Sequence, residues 1–323
     1  MIKKEFTIAI GVDIAKKKFD AACLLEGKFK HKVFTNDAVG FAGFVAWFLS
    51  LCGDAGPLIA MEATGAYSLP LADYLTTQGF SVSLVNPVKI HAFAKSELSR
   101  AKTDKADAKL IARYALMTQP PLWTPPPANI RQLQALVRRV EHLLEMIQME
   151  QNRLETADAS IRPSVTHVLD TLEAELKSTR QAVKGLIDNN PDLKQRSDLL
   201  DTIPGIGDAC IAHLLLALSG HHGFTHAKQV VAFAGLAPRL RESGQWRGNT
   251  HISKTGDSAL RKVLYMPALC AKRHNPVIQV FWNRLQGNGK NGKAIACAAM
   301  RKLIHIAFGV IKSGKPFDPN YAI

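Results

Sequence analysis

The sequence predicts an α/β sheet domain, then a helical arm, then a second and mainly helical domain. Three observations carry this. Strand and helix patterns alternate through the first hundred residues, prolines cluster at 120–127, and a heptad seam begins directly after them.

Residues 6–14 (FTIAIGVDI), 19–25 and 28–35 read as three short strands separated by turn residues. A helical period over 37–51 follows, then a buried strand at 57–62 (PLIAME), a helix at 65–78, a strand at 80–85 (FSVSLV) and a helix at 87–96 opened by Asn86-Pro87. Such alternation builds a sheet whose functional groups collect at the strand ends.

Pro120, Pro121, Pro125, Pro126 and Pro127 form a stiff linker. Beyond it Ile130, Leu133, Val137, Val140, Leu144, Ile147, Gln151 and Leu154 are spaced alternately by three and four, a heptad seam. A second seam past Pro163 runs through Leu169, Leu172, Leu176, Thr179, Val183 and Leu186. Together they make a helical hairpin or two coiled-coil arms, and an intersubunit contact and an intramolecular helix pair both stay open.

From about 197 the pattern is mostly helical. Pro204-Gly205-Ile206-Gly207 suits either a helix-hairpin-helix turn, whose amides approach a DNA phosphate, or a plain helix–helix turn. The stretch Arg239 to Lys254, rich in Gly, Ser and Arg, reads as a loop or hairpin before helices at 256–271 and 290–312. The expected division is 1–119, 120–190 and 191–323.

The chain has 323 residues, with 41 Lys and Arg against 27 Asp and Glu, a net charge of +14. Hydrophobic residues make up 47%, which excludes a wholly disordered protein. No run approaches the ~20 apolar residues of a membrane span, and the short apolar run before Asp13 is no signal-peptide core. The expectation is a cytoplasmic protein with no membrane partner. The five cysteines lie far apart with no CxxC, which speaks against a disulfide framework or a zinc site. His221, His222 and His226 read as loop histidines.

The charge is concentrated. Arg239 to Lys302 holds 13 Lys and Arg against two acids, Glu242 and Asp257, so +11 of the +14 lies in about a fifth of the chain. Trp246, Phe281 and Trp282 are interleaved among these bases. A local excess of this kind suits a polyanion, and aromatic faces stack on bases, which makes nucleic acid the leading partner. Candidate contacts are Arg241, Arg247, Lys254, Arg261 and Lys262.

Asp13 and Glu62 each end an apolar strand, and Asp104 and Asp107, three apart in KTDKADAKLIA, share a face at the start of a helix. Four carboxylates from two strand ends and one helix make an oxygen-rich set suited to two hard cations such as Mg²⁺. Two such ions stabilise the attacking and leaving oxygens of a phosphodiester displacement.

The stretches GVDIAKKKFD, MEATGAY, NP with KTDKADAKLIA, IPGIG, VAFAGLAPRLRESG and ISKTGDSALRKVLYMPA together resemble the DEDD insertion-sequence transposases, the bridge-RNA-guided DNA recombinases, over essentially the whole chain. The resemblance implies a RuvC-like (ribonuclease-H-like) N-terminal domain, a coiled-coil arm and a C-terminal transposase domain. It places the tetrad on Asp13, Glu62, Asp104 and Asp107, holding Mg²⁺, for which Mn²⁺ substitutes. It makes Ser243, in RESG, the nucleophile that forms a 5′-phosphoserine link to DNA. It further implies a structured guide RNA, donor and target double-stranded DNA, and a dimer or tetramer in which the two catalytic parts come from different subunits. Without the resemblance Ser243 reads as a loop serine, and Trp246 three residues on has no assigned role. The alternatives are a RuvC-like nuclease or Holliday-junction resolvase that uses water, and a non-enzymatic nucleic-acid-binding protein.

Overall fold

A computed structural model describes residues 5–53, 55–63, 65–98, 103–220, 222–239, 242–243, 246–248 and 251–320. The chain forms two compact units, Met1–Pro125 and Pro126–Ile323.

The first unit is built on a five-stranded sheet of β1 (Ala9–Ile14), β2 (Lys18–Leu25), β3 (Lys28–Thr35), β4 (Leu58–Glu62) and β5 (Ser81–Val85), in the order β3-β2-β1-β4-β5. β1, β2 and β3 form an antiparallel meander, and β4 and β5 run parallel to β1. Its helices are α1 (Ala38–Cys52), α2 (Leu69–Thr77), α3 (Pro87–Ser96) and α4 (Asp104–Thr118). Both sheet faces are covered, which is why β1 and β4 read as continuous apolar runs and not as alternating ones.

Strand alternation sorts the residues between two cores. Ile10, Val12, Phe19, Ala21 and Cys23 pack with Phe41, Phe44 and Phe48 of α1 and Leu71 and Leu75 of α2. On the opposite face Ala9, Leu58, Ala60 and Val85 meet Ile90 of α3 and Leu110, Ile111 and Tyr114 of α4. Between them on that second face sits Gly11, whose missing side chain decides the packing. A Cβ there would overlap the Ala108 carbonyl oxygen and the Ala112 amide nitrogen, so the α4 backbone lies directly on β1. The helix is started by Thr103, whose hydroxyl accepts from Ala106 N at 3.2 Å, a cap worth about 1 kcal/mol.

The second unit is mostly helical: α5 (Ala128–Thr156), α6 (Arg162–Asp188), α7 (Pro191–Asp201), α8 (Asp208–Ala217), α9 (Ala227–Phe233), α10 (Ser258–Val263), α11 (Tyr265–His274), α12 (Pro276–Gly287) and α13 (Gly292–Ser313). Two small ribbons lie between α9 and α10. β6 (Pro238–Arg239) pairs with β9 (His251–Ile252), and β7 (Glu242–Ser243) pairs with β8 (Trp246–Arg247), all antiparallel.

The seams of α5 and α6 meet within the chain as a helical hairpin: Leu143, Ile147, Val165, Leu169 and Leu176 form its core, flanked by Val140, Leu154 and Leu172. The seam is not quite the expected one. Leu143 is fully buried and Leu144 is 40% exposed, because an α-helix with 3.6 residues per turn drifts away from a strict seven-residue repeat. The first turns of α5 serve a different core, where Ile130, Leu133 and Val137 pack with α7 to α13.

In that larger core α13 is central, burying Ile295, Ala299, Leu303, Ile304 and Ala307 among others. It is the one helix among the described residues long and apolar enough to cross a membrane, and half of its apolar window is buried in the unit. The Pro204 to Gly207 turn is packed from inside. Gly205 has φ +99°, and a Cβ on it would come within 2.8 Å of Ala271 in α11. The fully buried Asn275 donates from Nδ2 to Pro204 O at 3.4 Å and caps α12 by accepting from Val277 N and Ile278 N. The glycine thus serves a helix–helix contact.

Two stability effects follow. Gly11→Val overpacks the β1–α4 contact and lowers unfolding free energy by about 3 kcal/mol or more in denaturant titration. Asn275→Ala strips the α12 cap and leaves Pro204 O without that donor, a loss of about 2 kcal/mol in the same measurement.

Candidate functional site

The face of the sheet that α4 covers carries the acids. Asp13 is two residues beyond Gly11 and so points to the same side. β1 pairs in parallel with β4, Gly11 with Ala60 and Val12 with Met61, so the next step of that register brings Glu62 level with Asp13. α4 lies on this face through Ala108 and Ala112, and Asp104 and Asp107 are in its first turn, next to the strand ends. Four carboxylates far apart in the chain are gathered by one close helix–sheet contact.

Their electrostatics reflect this proximity. The Asp13 carboxyl is pushed up to about 6, first by burial and then by the negative charges of Asp107, Asp104, Glu62 and Asp20. Burial and Asp107 also raise Glu62, with His91 of α3 opposing. Asp104 is lowered instead, by the hydrogen bond from Lys18. Asp13 and Glu62, whose ionisation the neighbouring acids hinder, gain from a nearby cation, and by charge and ligand type the four carboxylates are donors that could hold a hard divalent ion. Among the described residues no three His, Cys, Asp or Glu side chains close around a single point. The acids share a face without forming a finished cage.

The structure adds three residues that the sequence reading passed over. Asp20 on β2 stands directly across from Asp13 and is only 4% exposed. Its Oδ1 accepts from His31 Nε2 on β3 at 2.8 Å, and its Oδ2 from Lys18 Nζ at 3.3 Å. Lys18 Nζ also donates to Asp104 Oδ2 at 2.9 Å, so one ammonium ties β2 to the first turn of α4. An acid inside the otherwise apolar FDAACLL, at hairpin register with Asp13, was the available signal.

In the second unit Ser243 lies on β7, and its backbone partner across the ribbon is Trp246. Arg247 sits beside Trp246 on β8, while Arg241 lies outside the described residues. Lys254 and Lys262 are exposed. Arg261 is tied inward, donating from Nη1 to Ala234 O at 2.9 Å. The expectation that Trp282 stacks on bases is corrected: it is 5% exposed, a core residue with Lys272 Nζ 4.9 Å above its ring. Arg284 covers Phe281 in the same way at 5.5 Å. The basic segment nevertheless presents Lys272, Arg273, Arg284, Lys290 and Lys293 to solvent.

Because the folded protein raises Asp13 above its ordinary value of 3.8, ionising it costs folding free energy, and stability falls as pH rises from about 4 through about 6. In chelator at pH 7.5, Asp13→Asn therefore raises unfolding free energy by about 1 kcal/mol, after allowing for screening of the partly exposed carboxylate. The gain disappears at pH 4, which thermal unfolding across pH measures.

Comparison with known proteins finds relatives along most of the chain. A DEDD transposase model of the IS110 type matches residues 10–161, and the model described as Transposase IS116/IS110/IS902 family matches residues 197–283. The pilin gene-inverting protein of Moraxella bovis is 36% identical over 312 residues, 96% of this chain and 97% of that protein. Its counterpart in Moraxella lacunata is equally similar over the same extent. The transposase for insertion sequence element IS1328 of Yersinia enterocolitica is 26% identical over 349 residues, 96% of this chain and 98% of that one. With both of its units matched and relatives aligned from end to end, the chain belongs to the IS116/IS110/IS902 family of insertion-sequence transposases, enzymes of the DNA transposase and recombinase class.

Proposed function

We propose that this transposase cuts and rejoins DNA through a serine–DNA intermediate, using a divalent-metal site held by Asp13, Glu62, Asp104 and Asp107 in a RuvC-like domain. The observation that carries the reading is the gathering of those four acids on one sheet face by the β1–α4 contact. Metal ions bound there, two Mg²⁺ or Mn²⁺, supply charge stabilisation to a phosphodiester under attack. The remaining chemistry belongs to the chain. Ser243 Oγ attacks phosphorus, the bond to the 3′ oxygen breaks, and the serine proton ends on that oxygen. The products are a 5′-phosphoserine and a free 3′-hydroxyl, and attack by another strand's 3′-hydroxyl reverses the step and rejoins the DNA. Arg241, Arg247, Lys254 and Lys262 contribute positive charge along the DNA path, and Arg261 acts mainly through the fold.

The donor and target duplexes are chosen by a structured non-coding RNA, the bridge RNA, in a homo-oligomer acting on the cytoplasmic chromosome. A protein that leaves sequence choice to base pairing needs charge for backbone contact and few side chains that read bases. The exposed lysines and arginines of the basic segment, with Trp282 buried, suit that role. Relatives named for inverting a pilin gene and for transposing an insertion sequence support cutting and rejoining as the reaction.

The test uses the gene with its native flanking DNA on a plasmid. In Mg²⁺ the wild-type protein forms a covalent protein–DNA adduct and recombinant junctions. Ser243→Ala abolishes both, and Asp107→Asn lowers junctions by about a hundredfold or more. Strand hydrolysis that survives Ser243→Ala at the wild-type rate would replace this reading with a water-using nuclease. Junctions formed in cells lacking the transcribed flanking RNA would remove the guide.

A further inference from the structure

A cation of the protein's own already sits at the edge of these carboxylates, the Lys18 ammonium. Its two partners differ in how firmly they are held. Asp20 is 4% exposed, and its second oxygen is engaged by His31 at 2.8 Å, so this end of the bridge is anchored in the sheet. The Asp104 end is open to water: the Lys18 and Asp104 side chains are 50% and 59% exposed. Exposed ion pairs are weak and exchangeable, and a divalent ion outcompetes an ammonium for a carboxylate oxygen through its charge.

We propose that Lys18 gates Asp104. It occupies Asp104 Oδ2 while the carboxylates are unloaded, yields that oxygen to the divalent ion, and turns its released ammonium to the phosphate of the bound DNA while staying tethered at Asp20. The lysine's flexible four-carbon stem and three donors permit this exchange, since one donor keeps Asp20 as another changes partner. Asp20 and His31 are positioning residues in this scheme. The inference rests on the metal-binding reading of the tetrad given above.

The experiment pairs calorimetric titration of the full-length, metal-free protein with Mn²⁺ and counting of recombinant junctions on the plasmid with native flanks. Lys18→Met removes the competitor and binds Mn²⁺ about threefold more tightly than wild type. The same variant forms junctions about tenfold less often, because the phosphate has lost a charged donor. A purely structural lysine moves both readouts down together. Lys18→Gln repeats the measurement with a polar side chain should the methionine impair folding, and Lys18→Arg, which keeps the charge, recovers junctions in part. Unchanged or weaker Mn²⁺ binding in the Met and Gln variants overturns the gate, and junctions at the wild-type level overturn the phosphate contact. Wild-type protein that binds no Mn²⁺, or that Asp13→Asn leaves unaltered in Mn²⁺ affinity, overturns the metal reading itself and is distinguishable from both.

Discussion

The approach of α4 to β1 at Gly11 is the contact that brings the four acids of the first unit to one end of the sheet. With any side chain at that position the helix would lift from the sheet, and Asp104 and Asp107 would move away from Asp13 and Glu62 by the same displacement. The hydrophobic layer of Ala9, Leu58, Ala60, Leu110 and Ile111 then fixes the helix laterally. The four acids therefore stand on regular elements, two strand ends and one helix turn, and not on loops. Rigid placement matters because phosphoryl transfer depends largely on positioning and charge.

The same contact creates an electrostatic load. Five carboxylates, Asp20 included, lie close enough to oppose one another, and the cost appears as the raised titration of Asp13. The fold relieves part of it locally, with Lys18 set between Asp20 and Asp104 and His91 near Glu62. Nearly all of the chain's positive excess is placed elsewhere, in a segment of the second unit where Lys and Arg flank the ribbon bearing Ser243. The acids thus form a local negative cluster at one end of the first unit's sheet, while the densest run of positive charge lies in the second unit, where it suits a polyanion.

Much of the first unit was legible because its strands are short, apolar and punctuated, and its helices carry ordinary caps: the strand expected at 28–35 and the helix expected at 87–96 are β3 and α3. The places of the four acids, near two strand ends and at a helix start, were legible as well. Asp20, Lys18 and His31 were not, because a buried polar network is defined by cross-strand register, which becomes visible only once Asp13 is known to face Asp20. Leu143 took the place of Leu144 because a heptad template ignores helical drift. Trp282 lay among bases in the sequence yet is buried, since linear neighbours on α12 point to different sides of the helix. The Pro204 to Gly207 turn suited either a phosphate-binding or a plain helix–helix turn in the sequence, and its packing on Ala271, which accounts for the glycine at 205, became visible only in the fold.

α5 belongs to two cores at once. Its first turns are locked among α7 to α13, and beyond Val137 it is held mainly by α6, as far as Thr156 roughly 30 Å away. The hairpin is therefore a lever with a fixed fulcrum. A load applied at its tip is felt as torque on Ile130, Leu133 and Val137, whose core also contains α9 and α10, the helices on either side of the serine ribbon. Whatever grips the far end of the arm has a mechanical route to the segment that carries Ser243.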